Sequence, residues 1–177
     1  MSGRSDLPVF TDIASVFLED RPLLDLRAPV EFDQGAFPGA ENRPLLTDEE
    51  RHQVGIRYKE AGQDAAIALG YQLVDAEEKA RRVAQWQAFA ERHPDGLLYC
   101  FRGGLRSRLT QQMLFEETGI AYPRIAGGYK AMRRFLLDAL ETQSADAPLI
   151  MLGGRTGVGK TPFLDQFERQ LDLEGRA

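Results

Sequence analysis

The apolar run Leu97-Leu98-Tyr99 stops at Cys100 and gives way to Phe101-Arg102-Gly103-Gly104-Leu105-Arg106-Ser107, with helical sequence from Arg106 to Glu117. A buried strand that passes through paired glycines straight into a helix is the building unit of open α/β sheets, and the turn between the two is where such sheets hold ligands. Cys100 is the only cysteine of the chain. Around it Gly103 and Gly104 allow a tight curl, while Arg102, Arg106 and the helix N-terminus supply positive potential. The loop is suited to an anion at sulfur, which favours thiolate over thiol.

The same grammar extends in both directions. Pro22-Leu23-Leu24-Asp25-Leu26 reads as a buried strand with a charged tip at Asp25 and Arg27, after a short helix over 12–19 capped by Thr11. Residues 31–40 are turn-rich and lead to a short strand near Glu41-Asn42. Thr47-Asp48-Glu49-Glu50 and Asp75-Ala76-Glu77-Glu78 are capping boxes, and Gly55, Gly62 and Gly70 predict broken helices between them. Val83, Trp86, Phe89 and Ala90 share the core face of the second capped helix, which Pro94-Asp95-Gly96 stops. Past the helix that Gly119 closes, a short strand is expected within 121–126, a turn at Gly127-Gly128 and a helix from Tyr129 to Leu140.

Composition narrows the class. The chain is 43% hydrophobic and 28% charged, the balance of a soluble globular protein, and no stretch approaches the roughly 20 apolar residues of a membrane span. Met1 to Asp6 form no apolar signal core, and a lone cysteine makes no internal disulfide, so a reducing cytoplasm is expected. The thiol also lacks the resolving partner of a dithiol oxidoreductase. His52 and His93 have no metal-ligand spacing, and no metal site is expected from them. The net charge is -5, yet between Cys100 and Phe135 stand Arg102, Arg106, Arg108, Arg124, Lys130, Arg133 and Arg134 against Glu116 and Glu117 alone. That local excess either solvates a helix face or meets an anionic partner.

Further along, Gly154-Arg155-Thr156-Gly157-Val158-Gly159-Lys160-Thr161 matches the phosphate-cradling pattern GxxxxGK[ST], after the apolar run Leu149-Ile150-Met151-Leu152. The candidate phosphate ligands are Gly154, Thr156, Gly157, Gly159, Lys160 and Thr161, with Lys160 on the phosphates and Thr161 on Mg²⁺ if one is used. A helix is expected from Thr161 to Gln170, with Pro162 in its first turn, where the missing N–H is tolerated. One strand, one loop and one helix are too few for a nucleotide-binding domain, which needs several βα units and a later acidic residue for Mg²⁺. The expected organisation is an α/β domain over 1–141, a polar linker over 142–148 and an incomplete P-loop domain over 149–177, in a chain that is part of a longer protein.

An arginine six positions after a cysteine serves two chemistries: it steadies a sulfur- or selenium-bearing anion, or it clamps the phosphoryl oxygens of a cysteine-dependent phosphatase. Spacing leaves both open. Leu24-Asp25-Leu26-Arg27, Glu31-Phe32 and Gly35-Ala36-Phe37-Pro38-Gly39-Ala40-Glu41-Asn42 resemble the first signature of the rhodanese family, in which Cys100 stands at the persulfide-forming position. Together with Arg102 to Ser107, the segments Val54 to Glu60 and Ala66 to Gly70, and the P-loop, the chain resembles the tRNA 2-selenouridine synthase family.

That resemblance implies a rhodanese-like domain with a central parallel sheet flanked by helices, plus a short remnant of a P-loop α/β domain. It implies action on the wobble uridine of tRNA: S-geranylation of the 2-thio group from geranyl diphosphate, then replacement by selenium from selenophosphate, carried on Cys100. Arg102, Gly103, Gly104 and Arg106 would contact the anion or substrate, as would Asp25 and Arg27, which read equally as an ion pair fixing the loop. No tightly bound cofactor is implied. The P-loop ligand would be geranyl diphosphate or a nucleotide, and the partners tRNA and a selenophosphate-producing enzyme. The alternatives are a rhodanese-type sulfurtransferase, a Cys-x5-Arg phosphatase and a tRNA-binding fragment without turnover, and the chain alone is expected to lack the complete activity.

Overall fold

Five short strands make one all-parallel sheet in the computed structural model of the chain, which describes residues 7–146 and 150–167. They are β1 (Val9–Phe10), β2 (Leu23–Asp25), β3 (Glu41–Asn42), β4 (Leu97–Tyr99) and β5 (Arg124–Ile125), in the order β1-β5-β4-β2-β3. β4 is therefore central, with Leu23, Leu24 and Asp25 of β2 in register with Leu97, Leu98 and Tyr99. Every residue of β2 and β4 is buried, as parallel strands covered on both faces require. The pair Val9–Phe10 had no expectation attached to it, because two residues carry no readable alternation.

Helices cover both faces. They are α1 (Ile13–Leu18), α2 (Pro29–Asp33), α3 (Asp48–Leu73), α4 (Ala76–Arg92), α5 (Leu105–Thr118) and α6 (Gly128–Asp146). The strand pleat splits the core in two. Leu24, Leu26, Leu98 and Cys100 pack with Trp86, Phe89 and Leu114 of α4 and α5, whereas Leu23, Leu97 and Tyr99 pack with Val16 of α1, Phe37 and Met132 of α6. The fold class is the expected α/β one, and Trp86, 1% exposed, is a core residue as its apolar stripe predicts.

Several local expectations shift. The α1 cap is the Asp12 carboxylate, which accepts from the Ser15 N–H, rather than Thr11. The passage read as turns holds α2, started by Pro29, with Glu31 reaching back to the Ala28 N–H. α3 begins on the Thr47–Glu50 capping box and breaks once, at Gly62 with φ 80°, while Gly55 and Gly70 stay helical. α6 runs on to Asp146 instead of ending at Leu140, since no glycine or proline interrupts it before Pro148.

The chain divides into two compact units, Met1–Ala139 and Leu140–Ala177. In the second, Ile150 to Leu152 form no strand, and Ile150 and Met151 are 99% and 94% exposed. A strand persists only by pairing with another, and none is present among the described residues of this unit. Leu149 lies outside the described residues. The helix of this unit, α7 (Lys160–Leu164), is shorter than expected, and the expected stretch beyond Phe167 also lies outside them. No helix among the described residues is long and apolar enough to cross a membrane.

A buried charge pair ties the sheet to the loops above it. Asp25, fully buried, accepts from the Arg27 N–H and Nε at Oδ1 (2.9 and 3.1 Å) and from Arg27 Nη2 and the Tyr99 hydroxyl at Oδ2 (both 2.7 Å). Removing the carboxylate leaves a buried cation, so Asp25→Ala is expected to cost about 3–5 kcal/mol in urea unfolding followed by Trp86 fluorescence. The double variant Asp25→Leu/Arg27→Met should lose less. An unchanged Asp25→Ala midpoint would show that the pair does not hold the fold.

Candidate functional site

Cys100 leaves the C-terminal end of β4, the central strand, where open α/β sheets present their ligand sites. The chain then curls back on itself. The Cys100 carbonyl accepts from the Tyr129 N–H at 2.9 Å, and that of Phe101 from the Lys130 N–H at 3.0 Å, so the loop is sewn to the first turn of α6. This closeness needs glycine on both sides. Gly103 has φ 61° and a Cβ there would lie 2.6 Å from the Gly127 nitrogen; Gly128 has φ 56° and its Cβ would fall on the Cys100 carbonyl oxygen.

The thiol is 3% exposed and donates to Ser107 Oγ at 3.3 Å, while that hydroxyl donates to the Gly104 carbonyl at 3.0 Å. Ser107 sits in the first turn of α5, whose N-cap, Gly104, offers no side-chain acceptor to the N–H groups there. Charge that develops on sulfur thus meets a helix N-terminus. Arg124 donates to the Gly103 carbonyl at 3.0 Å and fixes the crest of the loop.

The cations read from the sequence take three different roles. Arg106 forms a bidentate pair with Glu31, at 2.6 and 3.1 Å, and Arg51 Nε stands 3.2 Å from the same carboxylate. Burial would push the Glu31 carboxyl up, but Arg106, the Ala28 N–H and Arg51 outweigh it and hold Glu31 below the usual carboxylate range. Arg27 is turned inward: besides Asp25 it donates to the carbonyls of Glu31 (3.0 Å) and Gly35 (2.9 Å), and its guanidinium lies 3.8 Å from the Tyr129 ring centre. Asp25 and Arg27 thereby form the pair that fixes the loop. Arg102 is exposed, with its guanidinium 6.0 Å from the Phe101 ring centre. Beside these groups a cleft of about 760 Å³ is walled by Arg27, Glu31, Arg51, Lys59, Phe101, Arg106 and Tyr129.

Glu31, Arg51, Ser107, Arg124 and Tyr129 were not singled out as site residues from the sequence. For Glu31 a signal exists, an acidic residue in the first turn of a proline-started helix. Ser107 lies in the same loop–helix run, seven residues after Cys100, whereas the contacts of Arg51, Arg124 and Tyr129 arise only when distant segments meet.

The second unit holds the GxxxxGK[ST] segment. Gly157 and Gly159 both have φ 83°, and Lys160 opens α7 while its Nζ donates back to the carbonyls of Gly154 (3.1 Å) and Arg155 (3.0 Å). Gly154, Thr156 and Thr161 are exposed beside it, so the described loop is open to solvent.

Because Glu31 is held as an anion by its partners, its contribution to stability is complete above the unfolded carboxylate range near 4.5 and is lost as pH falls through the lower folded value. Glu31→Gln is expected to cost about 1–3 kcal/mol at neutral pH and to flatten the acid limb of the stability curve. Urea unfolding from about pH 7 to about pH 3 measures both. An acid limb identical in the two proteins would remove Glu31 from this role.

No family model matches the chain. Its likeness to known proteins is nevertheless extensive. It is 61% identical over 166 residues to the tRNA 2-selenouridine synthase of Bordetella bronchiseptica, covering 94% of the chain and 45% of that protein. With that of Verminephrobacter eiseniae it shares 58% over 162 residues (92% and 44%), and with that of Marinobacter nauticus 57% over 177 residues (100% and 47%). The chain thus spans about half the length of the curated relatives it matches. Among solved structures, the N-terminal domain of a protein described as ATP/GTP binding, from Clostridium difficile 630, superposes with a TM-score of 0.65 at 29% identity, over 73% of this chain and 98% of that one. Along the stretch that it shares with these relatives, the chain belongs to the tRNA 2-selenouridine synthase family.

Proposed function

We propose that this chain carries the selenium-transfer centre of an enzyme that converts 2-thiouridine at the tRNA wobble position to 2-selenouridine. The observation that carries the reading is the setting of Cys100. The only cysteine stands at the end of the central strand, in a loop that curls at Gly103 (φ 61°) against the Gly127-Gly128 turn and runs into a helix N-terminus without a side-chain cap. In this reading the 2-thio sulfur is first geranylated from geranyl diphosphate with loss of diphosphate; selenophosphate bound at the Cys100 loop then attacks C2 of the uridine through selenium, expels geranyl thiolate and loses its phosphate to water, so that selenium stays at the selenide level throughout. Backbone N–H groups between Phe101 and Leu105, with Gly103 and Gly104 leaving them accessible, stabilise the selenophosphate anion, and Arg102 and Arg106 receive it or a tRNA phosphate. Asp25 and Arg27 hold the loop beneath them.

In the second unit Gly154, Thr156, Gly157, Gly159, Lys160 and Thr161 bind phosphate, either geranyl diphosphate or a nucleotide, with Mg²⁺ at Thr161 if one is used. The substrate is cytoplasmic tRNA, and a selenophosphate-producing enzyme supplies the donor.

Cys100→Ser in the source organism's gene is expected to abolish 2-selenouridine, read by mass spectrometry of tRNA nucleosides from cells grown with selenium. Unchanged selenouridine in that strain would discard the role of Cys100 in the selenium transfer.

A further inference from the structure

Adjoining the cleft is a second, half-open pocket of about 130 Å³, bounded by Leu45 and Leu46 and by residues of α3, α4 and α5. Its lining is apolar along most of its extent, with Val54, Ile67, Val74, Trp86, Leu109 and Met113 facing it. An apolar pocket of this kind suits an apolar guest, whose burial there removes apolar surface from water. The neighbouring cleft has the opposite character. α3 brings Arg51, His52 and Lys59 to it, and Arg27 and Arg106 add two more cations beside Glu31, the one carboxylate among the described residues of its wall, which pairs with Arg51 and Arg106. Leu46, Val54 and Tyr58 line both spaces, so an apolar cavity and a cationic cleft meet across a single partition.

That juxtaposition selects an amphiphile. A nucleotide or a simple anion would use the cleft alone, and an alcohol or fatty chain without charge the cavity alone. We propose that the cavity takes the isoprenoid chain of a prenyl diphosphate, with the diphosphate in the cleft near Arg51, His52 and Lys59. The inference rests on the geranylation step of the proposed function and assigns the diphosphate to the first unit, which leaves Lys160 for a different phosphate. The break in α3 at Gly62 fits this division of labour. Of the α3 residues before it, Arg51, His52 and Lys59 line the cleft and Val54 and Tyr58 line both spaces, while those after it, Ala66, Ile67, Gly70 and Tyr71, line the cavity alone.

The chain contains a single tryptophan, and it lines the cavity 1% exposed, so its fluorescence reports filling directly. Geranyl diphosphate titrated into the 177-residue chain is expected to shift Trp86 emission with saturation, whereas inorganic diphosphate gives no shift and geraniol binds at least about tenfold more weakly. Lys59→Ala, on an exposed position, should weaken geranyl diphosphate about tenfold without changing geraniol. Ala66→Phe, which fills the cavity from its buried wall, should abolish both responses, with circular dichroism checking the fold. The proposal is wrong if geranyl diphosphate leaves Trp86 unmoved, if geraniol matches it, or if Lys160→Ala abolishes the response while Lys59→Ala and Ala66→Phe spare it. Geranylation of thiolated RNA by cells carrying the gene is scored separately by mass spectrometry. If it proceeds while Trp86 stays silent, only the placement of the prenyl diphosphate between α3, α4 and α5 fails; if it is absent, the geranylation step itself fails.

Discussion

The carboxylate of Asp25 is the point on which the architecture of the site hangs. It ends β2 directly opposite Tyr99 of β4, and both side chains fall on the same face of the pleat. Burial and the nearby Asp25 charge push the Tyr99 phenol well above its ordinary value, so it stays neutral and donates to Asp25. Arg27, held on the same carboxylate, carries its remaining N–H groups to the carbonyls of Glu31 and Gly35 and its face to Tyr129. One buried anion thus joins two strands, the α2 segment and the start of α6. The first turn of α6 is also what receives the Cys100 and Phe101 carbonyls. The thiol loop is shaped from below, by groups that never reach the sulfur.

The charge above the loop is arranged differently. Arg106 is paired through both of its terminal nitrogens to Glu31, and Arg51 approaches the same carboxylate. An anion arriving at Arg106 would compete with a carboxylate already in place. Meanwhile the α5 N-terminus and Ser107 remain close to sulfur whatever Arg106 does. The two sets of contacts are separate: Ser107 and the α5 N-terminus lie beside the sulfur, while Arg106 and Arg51 converge on Glu31.

The strand at Leu97-Tyr99, the helix that Gly119 closes, and the capped helices at Thr47 and Asp75 were legible because each is bounded by residues whose local chemistry acts alone: a glycine with positive φ, or a side chain on a nearby N–H. Cys100 was legible for the same reason, since its glycines and following helix lie within a few residues of it. What escaped is what needs two distant segments. Val9–Phe10 is a strand only because Arg124–Ile125 lies beside it, and Ile150-Met151-Leu152, equally apolar, is not one because nothing among the described residues pairs with it. Arg106 read as an anion ligand because Glu31, its partner from α2, stands far away in the chain. The turn-rich reading of 31–40 missed α2 because Pro29, the residue that starts it, lies just outside that window.

The same distance governs the cavity. α3 on its own has no coherent apolar face, mixing Val54, Tyr58 and Ile67 with Arg51, His52 and Lys59, and in isolation it would read as a poorly packed surface helix. The kink at Gly62 resolves the mixture. With φ at 80° it redirects the helix axis, so the part before it borders the cleft with cations while the part after it lies over α4 and α5 with Ala66 buried. A straight helix of this length would have to present one face to one neighbour. Breaking it lets a single segment present charge to one space and apolar surface to the next, with Val54 and Tyr58 in the partition between them.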